Sequence, residues 1–137
     1  MALDCTLNNF MFFSGSGRHT ISTMLTLVQA CALPISLFGV PTLEPYVTIL
    51  HMTDKMRGGL EHLGSQTSMM PRASLVDGEK ALYRDLISLF SHEYLHQWKV
   101  KRLRPKVYLE YDLSKEVPSP LLWWFEGGTS WLGDIIC

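Results

Sequence analysis

From Asp77 onward apolar residues recur at steps of three and four: Leu82, Leu86, Leu89 and Phe90 share one side of a helical wheel, with Lys80, Arg84 and Asp85 away from them. This pattern predicts a helix over residues 77–104. Asp77 suits its N-cap, Glu79 its positive end, and Lys99, Lys101 and Arg102 its negative end. Arg104 precedes Pro105, which disfavours further helix and sets the stop. Upstream, PYVTILHM (Pro45 to Met52) alternates and is β-branched, as a strand should be. Downstream, SPLLWWFEGGTSWLGDII predicts a second helix with Ser119 as N-cap and Pro120 at the first helical position. Tyr108 to Pro118 reads as an extended polar connector.

The first helix carries the chemistry. In SHEYLHQWKV, His92 and His96 are four residues apart, so they lie about 40° apart around a helix axis and about 6 Å along it. Both imidazoles can reach one ion at roughly 2.0–2.1 Å. Glu93 sits about 100° further round, where a general base acting on a metal-bound water is wanted. A chance H-E-x-x-H arises in roughly one such chain per hundred, so a third ligand has to be found. The downstream acids are Glu110, Asp112, Glu116, Glu126 and Asp134. Among them Glu126 is flanked by Trp123, Trp124, Phe125 and Trp131, and a carboxylate in apolar surroundings is costly unless it is paired or coordinates a cation. Two histidines and a glutamate leave a fourth zinc position open, the mark of a catalytic rather than a structural site.

Three blocks in order, RGGLEHLGS, SHEYLHQWKVKRLRP and LLWWFEGGTSW, resemble the M61 family of metallopeptidases, the glycyl aminopeptidases that often carry a PDZ domain. The resemblance runs from about Phe38 to the last residue. It implies a fragment of an α+β, thermolysin-like, gluzincin catalytic core, in which edge strands are followed by two zinc-ligand helices. It also implies that His92, His96 and Glu126 are the ligands of one Zn2+ and that Glu93 is the catalytic glutamate. By analogy with related zinc aminopeptidases, Gly58, Gly59 and Glu61 would line the substrate, the backbone as an edge strand and Glu61 on the free α-amino group. The implied reaction is hydrolysis of the first peptide bond of a peptide with a free N-terminus, with small first residues such as Gly and Ala preferred. The family commonly has an aromatic at Leu95 and asparagine at Lys99; the first departure is a mild core change, and the second is expected to remove a polar contact.

Length and composition narrow this expectation. A chain of 137 residues makes one modest domain, less than a gluzincin core needs. Residues 38–137 are therefore expected to be a partial M61-like domain truncated at its C-terminus, with a catalytic subdomain, a downstream oxyanion-stabilising residue and a possible PDZ domain in the parent protein. Residues 1–37 form an unmatched extension. Within it 21–33 are apolar enough for a signal-peptide core, with Arg18 before them and Ala30-Cys31-Ala32 resembling a cleavage site, although a mis-joined segment is the preferred reading. No clear membrane anchor is expected. Net charge of −1 offers no footprint for nucleic acid, and KVKRLRPK is read as a solvated face. Cys5, Cys31 and Cys137 are odd in number and widely spaced, which argues against a disulfide framework or thiolate metal site. Two rivals share the zinc residues: an endopeptidase of the same clan, which would not need Glu61, and a catalytically incompetent zinc-stabilised binding fragment.

Overall fold

A computed structural model describes residues 11–13, 34–39, 46–112 and 114–136. Four strands form one sheet: β1 (Met11–Phe13), β2 (Val47–Thr53), β3 (Gly58–His62) and β4 (Ser65–Pro71), in the order β1-β2-β4-β3. The β1–β2 and β2–β4 pairs are parallel and β3–β4 is antiparallel, so β3 stands at the edge. β3 and β4 are joined by Leu63 and Gly64, and Gly64 at φ 88° takes the left-handed conformation that the tight reversal needs. Two long helices follow, α1 (Lys80–Leu95) and α2 (Gly128–Ile136), and the expected α+β class is what is seen. The strand expected over Pro45 to Met52 corresponds to β2. Residues 21–33, read as signal-like, lie outside the described residues.

The inner face of the sheet is set by alternation. β4 buries Gln66, Ser68 and Met70, and β2 buries Thr48 and Leu50. Leu50 and Met70 pack against Leu86, Ile87, Leu89 and Phe90 of α1; three of these belong to the stripe that the periodicity picks out, whereas Leu82 is only half-buried and Ile87 lies outside that stripe. The polar members of this face are satisfied locally: Tyr46 donates its hydroxyl to Gln66 Oε1 at 3.0 Å, and Gln66 Nε2 donates to Ser68 Oγ at 3.1 Å. A second cluster joins Tyr46 and Tyr94 to Ile35 and Trp98, with Trp98 Nε1 donating to the Phe38 carbonyl. Residues 34–38 form a helical turn that closes this corner.

Both ends of the first predicted helix move inward. Asp77 does not cap it: Gly78 adopts φ 97°, the Asp-Gly pair makes a turn, and Glu79 is the N-cap. At the other end the regular helix stops at Leu95, not Arg104. Residues 96–98 continue as a tightened turn, with Gln97 N–H bonded to Tyr94 O and Trp98 N–H to Leu95 O. Val100 then takes φ 68°, and Lys101 N–H reaches back to His96 O at 3.1 Å. A left-handed residue followed by a six-to-one bond is a Schellman stop, here with valine where glycine is usual.

The second helix begins where expected, with Ser119 Oγ accepting from Leu121 N–H at 3.2 Å. Its first part, Trp123–Gly127, is however a π-helical turn, and only from Gly128 is it α-helical. Gly133 brings the two helices together, since a β-carbon there would stand 3.2 Å from Ser88 O and 3.4 Å from His92 N. Ser88 Oγ donates to Asp134 Oδ1 at 2.7 Å across the same contact.

Candidate metal centre

The last turn of α1 and the π turn meet at three donor atoms. His92 Nε2 and His96 Nε2 lie 3.1 Å apart, and Glu126 Oε2 lies 3.4 Å from the first and 3.7 Å from the second. Four ligands tetrahedrally placed at Zn–N and Zn–O lengths would be about 3.3–3.4 Å from one another. The three donors therefore fit a zinc ion without rearrangement. His96 belongs to the C-cap turn, but its φ of −63° keeps the helical phase that the four-residue spacing requires. His96 is 1 % exposed and the side chain of Glu126 is 48 % exposed, so the centre is closed on the α1 side and open past the carboxylate. This corrects the sequence expectation in one respect: Trp123, Trp124 and Trp131 are themselves exposed, and Glu126 is held by the imidazoles rather than by apolar burial.

Electrostatics follow the same geometry. Hydrogen bonds from His92 and then His96 hold the Glu126 carboxyl well below the usual carboxylate range, against an opposing desolvation. Burial pushes Glu93 up; His92 and His96 pull it down, and Glu61 and Glu126 push it further up. Glu93 Oε2 and His96 Nδ1 are buried with no hydrogen-bond partner, the kind of orphaned atom that a bound group or an ordered water satisfies.

The edge strand closes the other side. A β-carbon at Gly59 would overlap the Glu93 carboxyl group, standing 2.7 Å from its Cγ, so only glycine lets α1 lay this side chain against β3. Glu61, two residues on, comes within 4.8 Å of Glu93 and His96 and forms with them a second cluster able to bind a cation. The structure thus brings His92, Glu93, His96, Glu126, Gly59 and Glu61 together. Gly58 lies beside Met69 in the β3–β4 pair. The His62 ring bonds locally, its Nδ1 to Leu60 O at 3.1 Å, while the His62 carbonyl accepts from Gln97 Nε2 at 2.8 Å.

Sequence reasoning missed several members of the site. Ser130 Oγ stands 3.2 Å from His92 Nδ1, able to fix the ring that the ion would use; its place four residues beyond Glu126 was the signal. Lys99 is not on a solvated face. It is 7 % exposed, donates to Trp124 O at 3.1 Å and lies 4.1 Å from the centre of the Trp124 ring, binding the π turn to the end of α1. Burial lowers its pKa, and Glu126 opposes that shift. Arg57 and Asp85 pair at 2.8 and 2.9 Å, tying the start of β3 to α1. Two clefts flank the centre along β3. One of about 330 Å³ is lined by Arg57, Gly59, His92, Glu93 and Ser130, and one of about 340 Å³ by Glu61, Lys101, Arg104, Tyr108 and Lys115.

Residues 85–137 match the family described as M61 glycyl aminopeptidase. A crystal structure of an aminopeptidase N family protein from Idiomarina loihiensis is similar, with 32 % identity and a TM-score of 0.80 over 93 % of this chain; the chain spans 22 % of that protein. No curated protein matches. The resemblance to the M61 family that the motifs carry is borne out by the first two findings.

Proposed function

We propose, on the footing of the M61 resemblance, that this chain forms part of the catalytic domain of a zinc-dependent aminopeptidase with a thermolysin-like core, residues 38–137 being its share. The observation that carries this reading is the convergence of His92, His96 and Glu126 at zinc-ligand separations, with Glu93 buried beside them. A zinc ion held there supplies Lewis acidity, making a water easier to deprotonate and the scissile carbonyl easier to attack.

The chain's own residues supply the rest. Glu93 takes the proton of the attacking water and passes it to the leaving amine, and a carboxyl whose pKa is raised by burial suits a group that must do both. β3 offers its free edge to an extended peptide, and Gly59 keeps that edge close to Glu93. Glu61 receives the substrate's α-ammonium, which makes the first peptide bond the one that is cut. With the amino end at Glu61 and the leaving part towards Gly59 and Arg57, the peptide runs antiparallel to β3. Small first residues, Gly and Ala, are expected substrates by resemblance.

The test is zinc content and turnover of alanyl and glycyl peptides by the full-length protein and by Glu93→Gln. Loss of about 10²–10⁴ in turnover with zinc retained is expected. Retained zinc with unchanged turnover excludes Glu93 as the base. Cleavage of an N-terminally blocked peptide at full rate would favour an endopeptidase instead.

A further inference from the structure

The Schellman stop of α1 does more than end a helix. A β-branched residue in the left-handed region is strained, and such strain persists only where its surroundings fix it. Val100 is fixed on both sides: its N–H bonds to Leu103 O at 2.9 Å, and its carbonyl accepts from Arg104 Nε at 2.9 Å. The result is that Lys101, the next residue, turns back to β3. Its Nζ stands 3.4 Å from Glu61 Oε1, and both side chains are only 18 % exposed. The carboxylate assigned to the substrate's amino group therefore already has an ammonium partner.

The cleft beside this pair is lined by one carboxylate, Glu61, and by Lys101, Arg104 and Lys115, the last of these exposed and already paired with Asp112 at 3.1 Å. When a glycyl or alanyl substrate takes Glu61, Lys101 is left partly buried without its counter-ion. An N-terminal aspartate or glutamate avoids this. Its ammonium goes to Glu61, its side-chain carboxylate goes to Lys101 with Arg104 nearby, and one pair is exchanged for two. We infer that this cleft receives the side chain of the substrate's first residue, and that Lys101 makes acidic first residues, aspartate and glutamate, preferred substrates alongside the small ones. This inference rests on the aminopeptidase reading for the role of Glu61.

The test uses the zinc-loaded full-length protein and α-hydroxamates of aspartate and asparagine, which differ in charge but hardly in shape. Aspartate hydroxamate is expected to bind about tenfold tighter than its asparagine counterpart, the low end of a charge-assisted hydrogen bond. Lys101→Met should bring the ratio to about one, Lys101→Arg should keep it, and N-acetylation of the aspartate ligand should abolish the advantage. Equal affinities in the unaltered protein overturn the inference without any variant, and so does a ratio that survives Lys101→Met in protein that still binds zinc. The two readings separate cleanly. Failure to hydrolyse any free-amino peptide sinks the aminopeptidase, whereas the aspartate-to-asparagine ratio reports on the cleft alone.

Discussion

The two elements that meet at the candidate metal centre are built on opposite principles. α1 is a regular helix whose buried stripe rests on the sheet, and its two histidines face one way because the helical repeat makes them. The turn Trp123–Gly127 is π-helical, its tryptophans are exposed, and Glu126 is aimed by what grips the turn from outside: Lys99 on Trp124 O, and the imidazoles on the carboxylate itself. Rigidity in the first case comes from a whole packed stripe, and in the second from one buried side chain, Phe125, and a few polar contacts. π turns concentrate at functional sites because the extra residue per turn re-aims a side chain. The most direct way to break the comparison is to remove one donor from each element. His96→Ala deletes a proposed ligand that is 1 % exposed, and a zinc-affinity loss beyond about 10²-fold is expected, larger than the loss of a supporting partner. Glu126→Gln removes the charge of a half-exposed ligand and should cost less. Competition with a chelator of known affinity measures both, and equal losses would mean that the π turn is as firmly held as α1.

A second contrast lies between the glycine that touches α1 and those of the π turn. Gly59→Ala forces the Glu93 carboxyl group away from β3, because the added β-carbon would overlap three atoms of the Glu93 side chain, Cγ among them. Turnover is expected to fall at least about tenfold with zinc still bound, since a displacement near 1 Å at the base costs up to about 10²-fold. Unchanged kinetics would show that Glu93 has a second productive position and that the edge strand does not fix it.

How far the sequence reached differs along the chain for physical reasons. The histidine pair, the strand before it and the start of the second helix are local: repeat, β-branching and an Ser-Pro cap all act within a few residues. The edge position of β3 and the choice of Glu126 came by resemblance and by a burial argument, and the burial argument misjudged the tryptophans, which are exposed. The stop of α1 could not be read because it rests on Val100 at φ 68°, the residue type least expected there, held by bonds to Leu103 and Arg104. The start was legible and misread, for Asp77-Gly78 is a stronger turn signal than Asp77 is a cap. Lys99 and Lys101 looked like solvent-facing charge, yet one seals the π turn and the other pairs with Glu61, contacts made at sequence separations of 25 and 40 residues.

Lys99 gives the comparison a thermal reading. Replacing it with methionine keeps most of the buried stem and removes the hydrogen bond to Trp124 O and the ammonium over the indole ring. These are worth about 1–2 kcal/mol together, so a drop of roughly 2–6 °C in the unfolding midpoint is expected. Calorimetry with and without zinc sharpens the assignment. If Lys99 holds the turn that carries Glu126, the deficit shrinks when the ion is bound, because the ion then ties the carboxylate to α1; an equal deficit in both states would reduce Lys99 to a packing residue.

The smallest effect separates the irregular turn from its composition. Gly127 has open space where a β-carbon would go and does not adopt the left-handed conformation, whereas a β-carbon at Gly128 would stand 2.9 Å from Lys99 Nζ and 3.2 Å from Trp124 Cε3. Gly127→Ala is therefore expected to be neutral or to stabilise by up to about 1 kcal/mol through helix propensity, with zinc affinity unchanged, as denaturant titration and chelator competition can establish. The π turn would then owe its shape to its contacts and not to a flexible residue. A destabilised Gly127→Ala would reverse that order, making backbone freedom at Gly127 the feature that lets Glu126 reach the two imidazoles.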